Sequence, residues 1–339
     1  MRYRIEERTL HFKQPAGTSR GVYTTRKIWL IHLSDGQHEG VGECAPLPDL
    51  SCDARPDYED ILNKVCADFC QRGEIDNETM RPYPSMLFGL ETALLNLRNR
   101  ELLFDTAFSR GEVGIPINGL VWMGTFEEMR QRIEAKLSQG FRCVKLKIGA
   151  IDFDAELELI KQIRSRFSHH DVELRVDANG AFSFDEALYK LELLSQYALH
   201  SIEQPIKAGQ WSYMSELCRE SPLPIALDEE LIGINAPEQK RQMLNIIRPR
   251  YIILKPSLHG GIQGCREWLD IARDMRIGSW ITSALESNVG LNAIAQFCSE
   301  VYGDSISMPQ GLGTGLLFTD NIPMPLEIKG DRLWISKRS

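Results

Sequence analysis

Six ionisable side chains stand out by type and spacing: Lys145, Lys147, Asp177, Glu203, Asp228 and Lys255. The two leading lysines lie in Arg142-Cys143-Val144-Lys145-Leu146-Lys147-Ile148, whose β-branched residues and alternation predict a strand. Side chains two apart share a strand face, so both lysines point one way and Val144, Leu146 and Ile148 point the other. A buried ammonium is costly unless paired, so the lysine side calls for negative charge. The following segments supply it. Stretches ending at Asp177, Glu203 and Asp228 each read as a strand closed by a carboxylate, and Tyr251 to Lys255 reads as one closed by a lysine. From Asp177 to Lys255 the intervals are 26, 25 and 27 residues, about one βα unit each. Three carboxylates converging on one mouth repel one another and resist ionisation. A divalent cation resolves this, and an all-oxygen, partly open site favours Mg²⁺, with Mn²⁺ as the alternative. Lys147 and Lys255 would then flank the metal from opposite sides.

Each feature alone has a plainer explanation. An Asp at a strand end is commonly a turn residue or a helix N-cap, Asn179-Gly180 is an ordinary turn pair, and Lys-x-Lys is more often a solvated face. The weight rests on all of them falling at the ends of five consecutive predicted strands.

Positioning those side chains requires a repeated element. From Gly114 onward, strand-like runs near 116–122, 142–148, 172–177, 200–204, 224–228, 251–255, 278–282 and 304–309 alternate with helical runs near 126–138, 153–167, 184–197, 211–219, 237–245, 262–276 and 288–301. Such alternation predicts right-handed βα units and a parallel sheet. Seven or eight units in about 200 residues predict an α/β fold closed as a (β/α)7-8 TIM-like barrel, with its site at the C-terminal strand ends. A doubly wound open sheet is the other candidate. It lacks its Gly-rich first turn: Gly311-Leu312-Gly313-Thr314-Gly315 is followed by Leu316 and comes too late in the chain.

Ahead of this region, residues 1–12 alternate as a strand, 14–21 read as a flexible loop, and strands over 22–33 and around 41–44 complete an antiparallel meander. Helices are expected near 57–71 and 85–100, the second with Leu87, Leu90, Leu94 and Leu97 on one stripe. The expected division is an α+β region over 1–110, the barrel over 111–318, and a terminal segment over 319–339. Its hairpin, Met324 to Ile335 with a turn at Gly330-Asp331, is expected to return to the N-terminal domain.

Composition sets the outer limits. At 339 residues the chain has room for one large domain and a smaller one. A hydrophobic fraction of 43% and a charged fraction of 25% are ordinary for a soluble globular protein. The formal charge of −8 argues against a general nucleic-acid binder. No run of about 18 apolar residues suggests a membrane span, and the polar N-terminus lacks the apolar core of a signal peptide, so a cytoplasmic protein is expected. The eight cysteines include no C-x-x-C pair and read as small apolar residues in a reducing compartment.

Several phrases resemble a known family: Arg175-Val176-Asp177-Ala178-Asn179-Gly180-Ala181, Ile202-Glu203-Gln204-Pro205, Leu227-Asp228-Glu229, Leu254-Lys255-Pro256-Ser257, Thr282-Ser283-Ala284-Leu285-Glu286-Ser287 and Gln310-Gly311-Leu312-Gly313-Thr314. Over nearly the whole chain the pattern resembles the enolase superfamily in its muconate-lactonising subgroup, and most of all the o-succinylbenzoate synthase family of menaquinone biosynthesis. The resemblance implies an N-terminal α+β capping domain, completed by the C-terminal segment, ahead of the barrel. It also implies a Mg²⁺-dependent hydro-lyase acting on a small-molecule carboxylate, 2-succinyl-6-hydroxy-2,4-cyclohexadiene-1-carboxylate, which loses water to give 2-succinylbenzoate. On that likeness Lys147 is the base, Lys145 helps to keep it deprotonated, and Lys255 stabilises the enediolate as a cation. Asp177, Glu203 and Asp228 hold the metal, and Asn179 and Arg175 orient those ligands. Ser283, Gly311, Gly313 and Thr314 would meet the succinyl tail, and loops 14–21 and 46–53 would close over the mouth. An N-succinylamino acid racemase or a cycloisomerase would share every catalytic residue, so both stay open at this point. Dipeptide epimerases carry an Asp-x-Asp on the eighth strand, which Ser307-Met308-Pro309-Gln310-Gly311 lacks. A non-catalytic barrel would be expected to have lost some of these lysines or ligands.

Overall fold

The computed structural model describes residues 1–18 and 21–336. The N-terminal region opens with β1 (Arg2–Thr18), β2 (Gly21–Ser34) and β3 (Glu39–Cys44), an antiparallel sheet in the order β1-β2-β3. The expected loop over 14–21 is corrected where it can be seen: residues 14–18 continue β1, while 19 and 20 lie outside the described residues. Pairing of β1 with β2 shifts register between His11 and Ala16. Such an irregularity on an edge strand accommodates Pro15, which has no N–H to give the ladder.

Three helices follow, α1 (Tyr58–Arg72), α2 (Asn77–Met80) and α3 (Pro84–Asn99). Leu87, Leu90 and Leu97 of the predicted stripe are buried, in a core with Ile31, Leu33, Leu62 and Phe69. The approach of α3 to β3 depends on glycine, because a Cβ on Gly42 would stand 1.9 Å from the Gly89 carbonyl oxygen.

The second region begins with β4 (Ile115–Pro116) and β5 (Gly119–Val121), then α4 (Phe126–Ser138) and β6 (Cys143–Lys147). It continues through α5 (Phe153–Arg166), β7 (Glu173–Asp177), α6 (Phe184–Ser195), β8 (Ser201–Glu203), α7 (Trp211–Glu220) and β9 (Ile225–Leu227). The last units are α8 (Pro237–Ile247), β10 (Tyr251–Leu254), α9 (Gly261–Asp274), β11 (Gly278–Ile281) and α10 (Asn288–Tyr302). Strands β5 to β11 form one parallel sheet in chain order. Val144, Leu146 and Ile148 face outward into a core that includes Leu159, Ile160 and Ile163 of α5. A second, smaller cluster joins Ala226, Ile253 and Trp280. Among the described residues no helix is long and apolar enough to cross a membrane.

The eighth strand expected over 304–309 is absent; residues 310 and 311 close the ring instead, through single bridges. Gln310 donates its N–H to the Pro116 carbonyl at 2.8 Å and accepts from Asn118 N–H at 3.0 Å. Gly311 donates to Ile281 at 2.9 Å and accepts from Ser283 N–H at 3.0 Å. Pro309 has no N–H with which to extend the ladder backwards, and a Cβ at position 311 would meet Thr282 Oγ1 at 2.0 Å.

The terminal hairpin forms as expected, from β12 (Leu326–Lys329) and β13 (Arg332–Ile335). Its expected docking on the N-terminal domain is corrected, because β13 pairs with β4 at the entrance to the barrel. The segment before the hairpin is what meets the first sheet: Thr319 N–H donates to His11 O, and Lys13 N–H to Leu317 O, both at 2.8 Å.

Candidate active site

Strand register brings the predicted residues together. Lys147 on β6 is paired with Asp177 on β7, and Asp177 with Glu203 on β8, so the three share one level of the sheet. Glu203 pairs with Ala226 on β9. Asp228, two residues beyond Ala226, therefore returns to the same face. Lys145 Nζ donates to Glu203 Oε2 at 2.7 Å and Asp177 Oδ2 at 3.2 Å. Lys147 Nζ donates to Asp177 Oδ2 and Asn179 Oδ1, both at 2.7 Å. From the far side of the carboxylates, four strands on from Lys147, Lys255 Nζ reaches Asp228 Oδ2 at 2.5 Å.

The donor set fits a divalent cation. Asp177, Glu203 and Asp228 each offer an oxygen, with all three oxygens within 4.8 Å of one another, and all three residues are buried. Glu203 Oε1 and Asp228 Oδ1 are buried with no hydrogen-bond partner. Orphaned carboxylate oxygens are expensive in a protein interior, whereas a hard cation takes oxygen ligands of this kind.

The charges perturb one another in a consistent direction. Burial works to raise Asp177, but Lys147 and Lys145 beside it outweigh burial and hold its carboxyl well below the usual range. Glu203 is pushed up to about 8, first by burial and then by Asp177 and Asp228, against the pull of Lys145. Glu229 is pushed up to about 7 by burial and by neighbouring Asp228. Burial disfavours the charge on Lys255, but Asp228 and Glu229 more than offset it. The pocket thus holds more carboxylate than its lysines neutralise, and added positive charge would relieve it.

The other predicted residues divide. Asn179 sits in the site: its N–H donates to Asp177 Oδ1 at 3.1 Å and its Nδ2 to Glu229 Oε1 at 2.9 Å. Arg175 lies deeper in the barrel. It donates to Glu173 Oε1 at 2.7 Å and Pro309 O at 3.0 Å, lies 4.5 Å over the Trp280 ring, and hydrogen-bonds none of the three carboxylates. The bonds to those carboxylates come from Lys145, Lys147, Asn179 and Lys255 instead. Ser283, Gly311, Gly313 and Thr314 all line the cavity above the lysines, with Thr314 Oγ1 bonded to Ser283 Oγ at 2.9 Å. Loop 46–53 contributes Leu47 and Leu50 to the same wall, held where Arg26 donates to the Ala45 and Pro46 carbonyls.

Several lining residues escape the sequence reading: Tyr23, Leu120, Trp122, Leu285 and Glu229. Glu229 and Leu285 both lie in the phrases that carry the family likeness, Glu229 next to Asp228, while Tyr23, Leu120 and Trp122 had no such signal. The cavity encloses about 830 Å³, open mouth included.

Comparison with known proteins agrees with this geometry. Residues 128–338 match the family model described as enolase C-terminal domain-like, and residues 17–97 match the MenC N-terminal domain. An o-succinylbenzoate synthase from Desulfotalea psychrophila is 47% identical, over 96% of this chain and 97% of that protein. The crystal structure of MenC from Desulfotalea psychrophila superposes with a TM-score of 0.86 at 42% identity, covering 98% of this chain and 99% of the other. Muconate lactonizing enzyme from Pseudomonas fluorescens shares the fold, with a TM-score of 0.81 at 22% identity over 99% and 94% of the two chains.

Proposed function

This chain belongs to the enolase C-terminal domain-like family, and from that premise we infer that it carries out the o-succinylbenzoate synthase reaction of menaquinone biosynthesis. The reaction is the syn dehydration of 2-succinyl-6-hydroxy-2,4-cyclohexadiene-1-carboxylate to 2-succinylbenzoate. The observation that carries this reading is near-full-length identity of 47% to a protein of that name, in a chain whose strand ends bring two lysine arms to either side of a carboxylate triad.

The chemistry follows from charge. Removing a proton α to a carboxylate creates a dianionic enediolate, which needs positive charge nearby. A divalent cation held by Asp177, Glu203 and Asp228, Mg²⁺ by its preference for oxygen, would supply Lewis-acid stabilisation there. Lys147 takes the α proton at Nζ and returns it to the departing hydroxyl on the same face. Lys145, bridging Asp177 and Glu203, adds a fixed positive charge beside the carboxylates at the same mouth. Lys255 holds a cation on the opposite face, beside the developing charge. Ser283, Gly311, Gly313 and Thr314 are assigned to the succinyl tail, and the apolar wall of Leu47, Leu50, Leu120 and Trp122 excludes water. Residues 1–110, 111–318 and 319–339 serve as capping domain, catalytic barrel and returning segment in this reading.

The test is an absorbance assay of the unaltered protein with the cyclohexadiene substrate. Formation of the aromatic product supports the assignment. No product, with α-proton exchange of N-succinylamino acids in D₂O, would favour the racemase instead.

A further inference from the structure

Glu229 is buried in the site, yet nothing in the proposed reaction uses it. Its Oε1 accepts from Asn179 Nδ2 at 2.9 Å, while its Oε2 is buried without a partner. A carboxylate buried with one oxygen unbonded is a poor structural choice. Its one bond, however, continues to the base: Asn179 Oδ1 accepts from Lys147 Nζ at 2.7 Å. We propose that Glu229 is a positioning residue, which fixes the orientation of the Asn179 amide and through it the aim of Lys147; this rests on Lys147 being the base, as argued above.

The argument is one of donors and acceptors. A primary amide has a donor end and an acceptor end of nearly equal shape, so only its partners decide which way it faces. A lysine Nζ that donates to Oδ1 keeps its lone pair free for a proton, and a carboxylate can only accept. Glu229 therefore holds Nδ2 on its own side and leaves Oδ1 for Lys147. Without that anchor the amide is free to turn, and Nδ2 would donate to the lone pair with which the Lys147 amine takes the proton. Both ends of the relay are rigidly mounted. Asn179 has a left-handed backbone (φ 46°) and is tied to Asp177 Oδ1 through its N–H. Glu229 begins a short 3₁₀ turn, Glu229–Leu231. Gln204 pins that turn, accepting from Asp228 N–H at 3.3 Å and Glu230 N–H at 3.2 Å and donating to Glu230 Oε2 at 2.9 Å. Small errors in aiming a catalytic group cost about 100-fold in rate, so a fixed relay has a purpose where a lone buried carboxylate has none.

The experiment compares Glu229→Met, Glu229→Gln, Asn179→Ala and the double variant Glu229→Met/Asn179→Ala, each checked by thermal melt. Glu229→Met should lower kcat by roughly 10- to 100-fold and leave KM within about threefold. Glu229→Gln, whose carbonyl can still accept from Asn179, should recover most of that loss. The double variant should be no slower than Asn179→Ala alone, because the second change removes an anchor for an amide no longer there. An unchanged kcat in Glu229→Met, equal loss in Glu229→Gln, or multiplied losses in the double variant would overturn the proposal. Crystal structures of the unaltered and Glu229→Met proteins give an arm independent of the substrate. A turned amide and a lost Lys147–Asn179 contact support the relay, and an intact contact refutes it, even if the unaltered protein fails to dehydrate the substrate and the reaction assignment falls.

Discussion

Two of the clusters of buried charge among the described residues are bonded differently. At the strand ends, Asp177, Glu203, Asp228 and Glu229 share three lysines, and Glu203, Asp228 and Glu229 each retain a buried oxygen with no partner. Where the N-terminal sheet meets the barrel, Glu43, Glu286 and Arg26 form a second cluster. Glu43 accepts from the N–H and hydroxyl of Ser287 and from Gly290 N–H. Glu286 accepts from Ser257, from Ser283 Oγ and from Ala284 N–H. Arg26 spends its donors on the carbonyls of Ala45, Pro46, Ala284 and Leu285. Every side-chain oxygen of Glu43 and Glu286 is therefore bonded. Burial alone does not mark a functional site. Several carboxylates converging with unfilled acceptors do, because a ligand or ion shared among them offsets the desolvation cost. The filled cluster instead fastens one region to the other, with Glu43 at the N-terminus of α10, where a carboxylate is favoured by orphan N–H groups and the helix dipole.

Exchanging residues across this divide should separate activity from stability. The largest effect belongs to Lys147→Ala, which should lose about 10²- to 10⁴-fold or more in turnover with its melting temperature little changed. Lys147→Arg should fare no better, since a guanidinium stays protonated, whereas Lys255→Arg keeps its cation and should retain measurable dehydration. Equal and complete loss in both arginine variants, each folded and metal-loaded, would favour a two-base mechanism. Next comes Glu203→Gln, which keeps the size and removes a ligand charge. Metal affinity by calorimetry and turnover should both fall roughly 10-fold or more while the fold persists; unchanged metal binding would remove Glu203 from the ligand set.

In the filled cluster, Glu43→Ala should act on stability. It strands two N–H groups and a hydroxyl, at a cost of about 3 kcal/mol in chemical denaturation. Loss of turnover in the folded fraction, without loss of stability, would contradict its structural role. The smallest effect is a pH slope. Burial pushes Glu43 up to about 6 from an ordinary 4.5, so between those values the folded state binds its proton more readily than the unfolded chain does. Its contribution to stability should therefore fall as pH rises from 4.5 to 6, by about 2 kcal/mol, and stay level above that. Glu43→Gln has no such group, and its stability relative to the unaltered protein should rise over the same interval; parallel pH profiles would refute the assignment.

How much of this was legible in the sequence depended on whether a residue's role was set by its own strand. Lys145, Lys147, Asp177 and Glu203 were visible because a period of two fixes which way a strand side chain points, and each lies at or near a strand end. A closed barrel was legible from the run of βα units, but the way it closes was not. Closure is made by single bridges at Gln310 and Gly311, and the strand-like run before them, Asp304 to Pro309, ends at a proline, which cannot join a ladder. Pro15 misled in the other direction, since an edge strand absorbs by a shift of register what composition reads as a loop. Docking of the terminal hairpin on β4 is a tertiary choice with no local mark. In the site, Trp122 and Leu285 are ordinary apolar residues until the fold sets them in the wall, and Glu229 looked like a neighbour of Asp228 rather than a partner of Asn179.

The central claim, that unfilled carboxylate oxygens at the strand ends form a cation site on which the reaction depends, is tested most directly by assaying dehydration after rigorous chelation and again after adding Mg²⁺. The account expects no turnover in the chelated protein, with its fold unchanged, and restored turnover with Mg²⁺ at one ion per chain. Full turnover by the thoroughly chelated protein would contradict it.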